Sequence, residues 1–362
     1  MASSNMTTSA TASAAGAKKP SGRFETLDGM RGLAAFAVVL LHLTAGLPIG
    51  VWHPNFATLA VDIFFALSGF VLAYSYDKRF AGGLTVWKFM SMRTRRLFPL
   101  YLVGFTCGLF AMRFLQEGVQ GQCAWYFTYI PNLLLLPTVC KGMLFPVNGP
   151  AWSLFFEFWV ANLVFALIWR WLHGWRMWVL LGISLGGVLL ALYRLHTLHV
   201  GFDQETLLYG IPRTCFSFFA GVAVARYHQS HKPKLRVPAI IVVLAMLVVL
   251  CMPAIILRWY GAPQAFQLLA VLVIFPVLLY FGAETNERHS PALEWLGDTS
   301  YAVYVIHWPI LVGVTALLAP LGWVRSLWLE LVLASAVMIL AYWAHHWLDV
   351  PVRRWIARKW PL

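Results

Sequence analysis

Leu59-Ala60-Val61-Asp62-Ile63-Phe64-Phe65-Ala66-Leu67-Ser68-Gly69-Phe70-Val71-Leu72-Ala73-Tyr74-Ser75-Tyr76 carries a single charged side chain in a run that is otherwise apolar, aromatic or small. At 1.5 Å per residue, a helix of this length extends about 27 Å, close to the ~30 Å hydrocarbon core of a bilayer. The run predicts a membrane-spanning helix. Nine more runs meet the same criterion of roughly 20 predominantly apolar residues, so ten spans are expected: 33–50, 59–76, 97–115, 151–171, 175–195, 207–227, 237–257, 265–282, 300–318 and 324–347. The fold expected is an all-α integral membrane protein, a bundle of ten transmembrane helices.

Composition agrees. Of 362 residues 60% are hydrophobic and only 11% charged, against about 25% charged in a soluble domain; mean hydropathy is +0.71. The 18 Trp and 25 Phe suit helices that face lipid and end at its interfaces. A formal charge of +13 invites a nucleic-acid reading, but the basic residues sit in short loops between apolar runs, not on one water-exposed face. No nucleic-acid partner is expected; the bilayer itself is the partner that the composition requires.

Loop charge orients the bundle. Ten spans put both termini on one side, and calling that side cytoplasmic collects 21 of the 27 Lys and Arg there, leaving Arg113, Lys141, Arg194, Arg258 and Arg325 outside and Arg213 inside a span. Cationic loops stay cytoplasmic, so cytoplasmic termini in a multi-pass protein of the inner (plasma) membrane are expected. Segment 126–139 is apolar but short, and it holds Pro131 and Pro137. An eleventh crossing there would reverse every later loop, so an interfacial or re-entrant segment is expected instead. The Ser-, Thr- and Ala-rich residues 1–22 read as a disordered cytoplasmic tail. Residues 23–362 then form one membrane domain without a visible internal repeat.

Cys107, Cys215 and Cys251 lie in apolar runs and read as small buried hydrophobes. Cys123 and Cys140 share one outer loop, where an oxidising compartment permits a disulfide that spacing alone leaves open. No Cys/His cluster has metal-site spacing, and no bound metal or cofactor is expected.

Charged groups at membrane depth are costly, so each is a functional candidate. His42 follows Arg31 by eleven residues; at about 100° per residue both fall on one helix stripe, ~16 Å apart along the axis. The plain alternative is a topology arginine and a hydrogen-bonded core histidine.

Five segments, in order, resemble the acyltransferase-3 family of membrane acyltransferases. They are Leu27-Asp28-Gly29-Met30-Arg31-Gly32-Leu33 leading to His42, Val61 through Phe70, Arg93-Thr94-Arg95-Arg96-Leu97-Phe98-Pro99-Leu100-Tyr101, Ala151-Trp152-Ser153-Leu154-Phe155-Phe156-Glu157, and Gly297 through Pro309. Asp349-Val350-Pro351 stands where such proteins often have Glu-x-Pro. No extracytoplasmic hydrolase-like domain, which some members carry, is recognised, so the chain is expected to act alone or with a separate partner for its acceptor.

The resemblance implies transfer of an acetyl or other short acyl group from cytoplasmic acyl-CoA to a hydroxyl of an exported or surface glycan or a lipid-linked acceptor. A hydroxyl needs a base to attack a thioester, and imidazole has the best-matched basicity. His42 is the expected base, with Arg31 a further catalytic candidate at the cytoplasmic edge, where it could meet pantetheine or phosphate. Asp62 is expected to orient His42 as in a dyad, its alternative being a helix-start carboxylate. Arg93, Arg95 and Arg96 are expected to bind acyl-CoA phosphates, though an inner loop is basic in any case. Glu157, Trp152, Ser153, Tyr301, Tyr304 and His307 are expected to bind acceptor or line the cavity, with His307 a second proton carrier. His345 and Asp349 look like an accident of spacing. The rival function is a secondary transporter of an acylated or glycan-linked substrate, since buried charges also mark transport pathways.

Overall fold

Helix follows helix along the chain. The structure, a computed structural model, describes residues 24–45, 47, 54–115, 124–252, 263–285, 290–318, 320 and 326–360; the tail 1–22, Cys123 and Arg325 lie outside them. In chain order the helices are α1 Glu25–Thr44, α2 Ala60–Ala81, α3 Val86–Leu115, α4 Trp125–Leu133, α5 Ala151–Trp171 and α6 Trp175–Leu195. After them come α7 Leu207–Ser230, α8 Ala239–Cys251, α9 Pro263–Gly282, α10 Pro291–Leu318 and α11 Leu327–Lys359. No strand occurs among the described residues; one isolated bridge pairs Met143 with Asp203.

By length and composition, eight of these helices can cross a membrane: α1, α2 with the turn before it, α5, α6, α7, α9, α10 and α11. The other two expected spans are not among them. Helix α8 has 13 residues, and α3, at 30 residues, carries Lys88, Arg93, Arg95 and Arg96 in its first half. Segment 126–139 forms no spanning helix. Helix α4 has nine residues, about 13 Å at helical rise. Trp125, Tyr126, Phe127 and Ile130 are exposed, as on a segment lying at an interface.

Past α4 the chain folds back on itself. Asn132 donates to the carbonyls of Leu136 and Leu144, both at 3.1 Å, and Tyr101 donates to the Asn132 carbonyl. Leu144 N–H donates to Phe202 O at 3.1 Å and Gln204 N–H to Gly142 O at 3.2 Å, which knits the loop before α5 to the loop before α7. Burial, with the charge of Arg213 adding, pushes the His199 imidazole of the second loop down to about 4, so its stack on Phe202 stays neutral near pH 7. Cys140 is buried and disulfide-bonded.

Helix α1 packs along α10, and α2 packs along α7. In the second seam the backbones nearly touch: a Cβ on Gly69 would overlap the Phe218 carbonyl, and one on Gly221 would overlap the Ala66 carbonyl. Small residues let helices approach this closely where lipid provides no hydrophobic drive. Around the seams, Phe65, Phe70, Phe156, Phe165, Phe218, Phe219 and Phe275 fill the centre. Trp178, Ile183 and Tyr193 of α6 remain exposed, the composition of a lipid-facing helix.

Gly69→Val should force α2 off α7 and destabilise the protein by at least about 1–3 kcal/mol, the usual range for overpacking. Thermal unfolding in detergent, compared with Ile183→Val on the exposed face of α6, would register this as a lowered Tm for the first variant only.

Candidate active site

Helices α1, α2, α3, α5, α10 and α11 surround a cavity of about 160 Å³. Arg31 enters it from α1, Ser68 from α2, Arg93 and Arg96 from α3, Ser153 and Glu157 from α5, Asp298, Tyr301 and Tyr304 from α10, and His345, Asp349 and Arg353 from α11. Two of these helices leave α geometry at the cavity. A π turn spans Phe156–Asn162 and includes Glu157, and another spans His345–Asp349. Such a turn inserts a residue and re-aims the side chains around it, and π turns recur at functional sites.

Arg31 is held as a fork. Its Nε donates to Ser300 Oγ and its Nη2 to Gly297 O, both at 2.8 Å, and Nη2 also lies 3.0 Å from Asp28 Oδ1. Across the cavity, Glu157 accepts from Ser68 Oγ at 2.7 Å and from Arg93 Nη2 at 2.9 Å. Arg93 is buried, and this pairing neutralises a carboxylate that would otherwise be very costly at membrane depth. The hydroxyls of Tyr304 and Ser153 share a hydrogen bond of 2.5 Å, while Tyr301 donates to the Leu97 carbonyl at 2.6 Å.

The three arginines in the first half of α3 therefore go separate ways. Arg93 is committed to Glu157, Arg95 donates to the Trp360 carbonyl and does not line the cavity, and Arg96 is exposed and lines it. On a helix, positions three apart share a face and positions two apart do not, which is why Arg93 and Arg96 both line the cavity and Arg95 does not.

His42 lies outside the lining. Its ring stacks on His307 at 5.3 Å with 14° between planes, and meets Trp308 edge-on at 5.1 Å. His307 is fully buried; its Nδ1 is 3.0 Å from Val303 O, and its Nε2 has no hydrogen-bond partner. Tyr304 connects this pair to the cavity, its ring 5.9 Å from that of His307.

The structure pairs Asp62 with Arg213, not with His42. Arg213 Nη2 lies 2.6 Å and Nε 3.0 Å from the carboxylate, and Ser217 Oγ donates at 3.1 Å. Arg213 also donates to Val200 O and Thr58 O and stands over the Trp152 ring, so Trp152 flanks this buried pair and not the cavity. The dyad expected from the order of helices gives way to a stronger partner, an oppositely charged fork. The sequence contained the signal: Arg213 lies well inside the expected span 207–227, and such a cation requires a carboxylate. Ser68, Ser300, His345, Asp349 and Arg353 were not among the expected site residues, although the Asp349-Val350-Pro351 departure pointed near the last three.

Residues 24–347 match the acyltransferase domain that defines the acyltransferase-3 family. The chain belongs to this family. It is 24% identical over 359 residues to the peptidoglycan O-acetyltransferase OatA of Listeria monocytogenes, an alignment that covers 91% of this chain and 56% of that protein. It is 28% identical over 273 residues to the exopolysaccharide production protein ExoZ of Rhizobium meliloti, covering 70% of this chain and 77% of that one. With protein 2 of the picA locus of Rhizobium radiobacter it shares 39% identity over 174 residues, 42% of this chain and 85% of the relative. The chain thus spans about half the length of the Listeria enzyme. No solved structure matches it.

Breaking the Asp62–Arg213 pair from one side is expected to be severe. Asp62→Asn should cost about 3–5 kcal/mol, because an uncompensated guanidinium is left buried, and Asp62→Asn with Arg213→Gln should cost less than Asp62→Asn alone. Equilibrium unfolding of the single and double variants measures this coupling.

Proposed function

We propose that this protein is a membrane O-acyltransferase that moves an acetyl or similarly short acyl group from cytoplasmic acyl-CoA to a hydroxyl of a cell-envelope glycan or its lipid-linked precursor. The observation that carries the reading is the cavity of an acyltransferase-3 member lined by four guanidinium groups, three of them on side chains that are not buried, Arg31 at 28% exposure among them. Arg96 is exposed, and the Arg353 side chain is 32% exposed. Guanidinium groups bind phosphate oxygens in bidentate fashion, so coenzyme A phosphates at this mouth would send the acyl-pantetheine arm inward past Arg31 and Tyr301. Support for a glycan acceptor comes from the names of similar proteins, which refer to peptidoglycan and exopolysaccharide; none of the relatives described above is named as a transporter.

In this reading the bundle crosses the inner membrane ten times with both termini cytoplasmic, since only that arrangement keeps most basic loops inside. His42 is the base that takes the acceptor proton, held against His307 at the end of the path marked by Tyr304. Arg31 and the Tyr304–Ser153 hydroxyl pair are positioned to stabilise negative charge on the thioester oxygen in the transition state. Arg93 pairs with Glu157 and holds it in place for the acceptor or the base.

The test is purified protein in vesicles with acyl-labelled acetyl-CoA and a glycan acceptor, with free thiol and labelled ester both measured. His42→Ala should lower ester formation by about 10²–10⁴-fold, the usual share of a general base, with unchanged membrane insertion. Arg96→Gln should raise KM for acetyl-CoA while Arg95→Gln leaves it near wild type. Uptake of intact substrate without thioester cleavage would overturn the enzyme in favour of a transporter.

A further inference from the structure

Of the residues that line the cavity, a single one is an imidazole, and it is neither His42 nor His307 but His345. Its Nδ1 lies 3.4 Å from Asp349 Oδ2, and Arg353 Nη2 holds the same oxygen at 2.6 Å. The three residues sit four apart on α11 and share its cavity face. Asp349 is 3% exposed, and its second oxygen, Oδ1, is buried without a hydrogen-bond partner. A carboxylate at one nitrogen of a cavity-lining histidine is the arrangement that orients a proton-carrying ring and leaves its second nitrogen for transfer.

The charged groups of the cavity that holds this ring are Arg31 with its partner Asp28 from α1, Arg93 and Arg96 from α3, Glu157 from α5, Asp298 and the Tyr301 phenol from α10, and Asp349 and Arg353 from its own helix. With Asp349 counted, four arginines meet four carboxylates among them. A thiolate released here would add an unbalanced anion in a confined space, and an ordinary thiol keeps its proton up to about pH 8.5. Departure of the coenzyme as its neutral thiol therefore calls for an acid at the donor end, distinct from the base at the acceptor end.

We propose that His345 is a second catalytic residue, the general acid that protonates the coenzyme A sulfur, with Asp349 as the positioning residue that orients it; this rests on the acyl-CoA reading above. As the acceptor oxygen attacks the carbonyl carbon, the carbon–sulfur bond breaks and its electron pair moves to sulfur. The Nε2 proton of the His345 imidazolium passes to that sulfur, while the acceptor hydroxyl proton passes to His42. Both rings then re-equilibrate with water. The balance is one thioester and one hydroxyl converted to one ester and one free thiol.

The experiment compares wild type, His345→Gln, His345→Ala and Asp349→Asn in vesicles, each normalised to inserted protein. Two donors are used, acetyl-CoA and an acetyl thioester of nitrothiophenol, whose acidic thiol leaves without a proton. Both His345 variants are expected to lose about 10²–10⁴-fold in kcat on acetyl-CoA with KM within threefold of wild type, and to fall less than tenfold on the aryl thioester. Added imidazole should restore part of the His345→Ala rate, and Asp349→Asn should show a smaller loss with the same dependence on the leaving group. Wild-type turnover in His345→Gln on acetyl-CoA would overturn the proposal and leave the acyltransferase reading intact. Equal losses on both donors without imidazole rescue would also overturn it, by reducing His345 to a structural role. A wild type that leaves acetyl-CoA uncleaved in the presence of acceptor would remove both readings together.

Discussion

The contact between α1 and α10 is the constraint on which the rest of the site depends. A Cβ on Gly32 would overlap the Leu296 carbonyl, and one on Gly297 would overlap the Asp28 side chain, so each helix supplies a glycine where the other comes closest. At that distance the Arg31 guanidinium reaches Ser300 and the Gly297 carbonyl directly. Lysine has no planar fork with which to do the same. Eleven residues further along α1, His42 meets His307 of α10. One helix pair thus carries both the cation at the cavity and the stacked imidazoles beyond it, and their spacing is set by helical rise alone.

A second constraint is the cost of charge in hydrocarbon. Asp62 pairs with Arg213, Glu157 with Arg93, Asp349 with Arg353, and Asp77 with Arg226. Each pair neutralises a group that would otherwise be prohibitive at this depth. Their settings differ. The Asp62–Arg213 pair is sealed, ties α2 to α7 and holds the Val200 loop, which suits a structural clamp. Glu157 and Asp349 instead line the cavity from π turns, each with its carboxylate still held by an arginine.

The cavity also separates two kinds of basic residue that look alike along the chain. Arg93 is buried and spent on a neighbouring acid, whereas Arg96, three residues on, stands at the mouth. Arg96 keeps its guanidinium largely hydrated, whereas Arg93 gives up its hydration to pair with Glu157, which is the costlier setting for a charge.

The amino-acid sequence by itself determined the class of protein, because the length and apolarity of its runs are matched to the bilayer and not to any particular partner. It determined the family too, since the Arg31 to His42 interval, Trp152-Ser153 to Glu157 and Tyr301 to His307 are short-range spacings that need no tertiary knowledge. The cavity residues Arg31, Glu157, Tyr301 and Tyr304 were legible for the same reason. What only the tertiary structure decided was partnership. Asp62 was assigned to His42 by helix order, but Arg213, 151 positions away in sequence, took it, because ion pairing in a low-dielectric interior outweighs proximity along the chain. His345 and Asp349 gained their place only when α11 closed the cavity. A spacing of four on one helix says that two side chains share a face, and folding alone decides what that face looks upon.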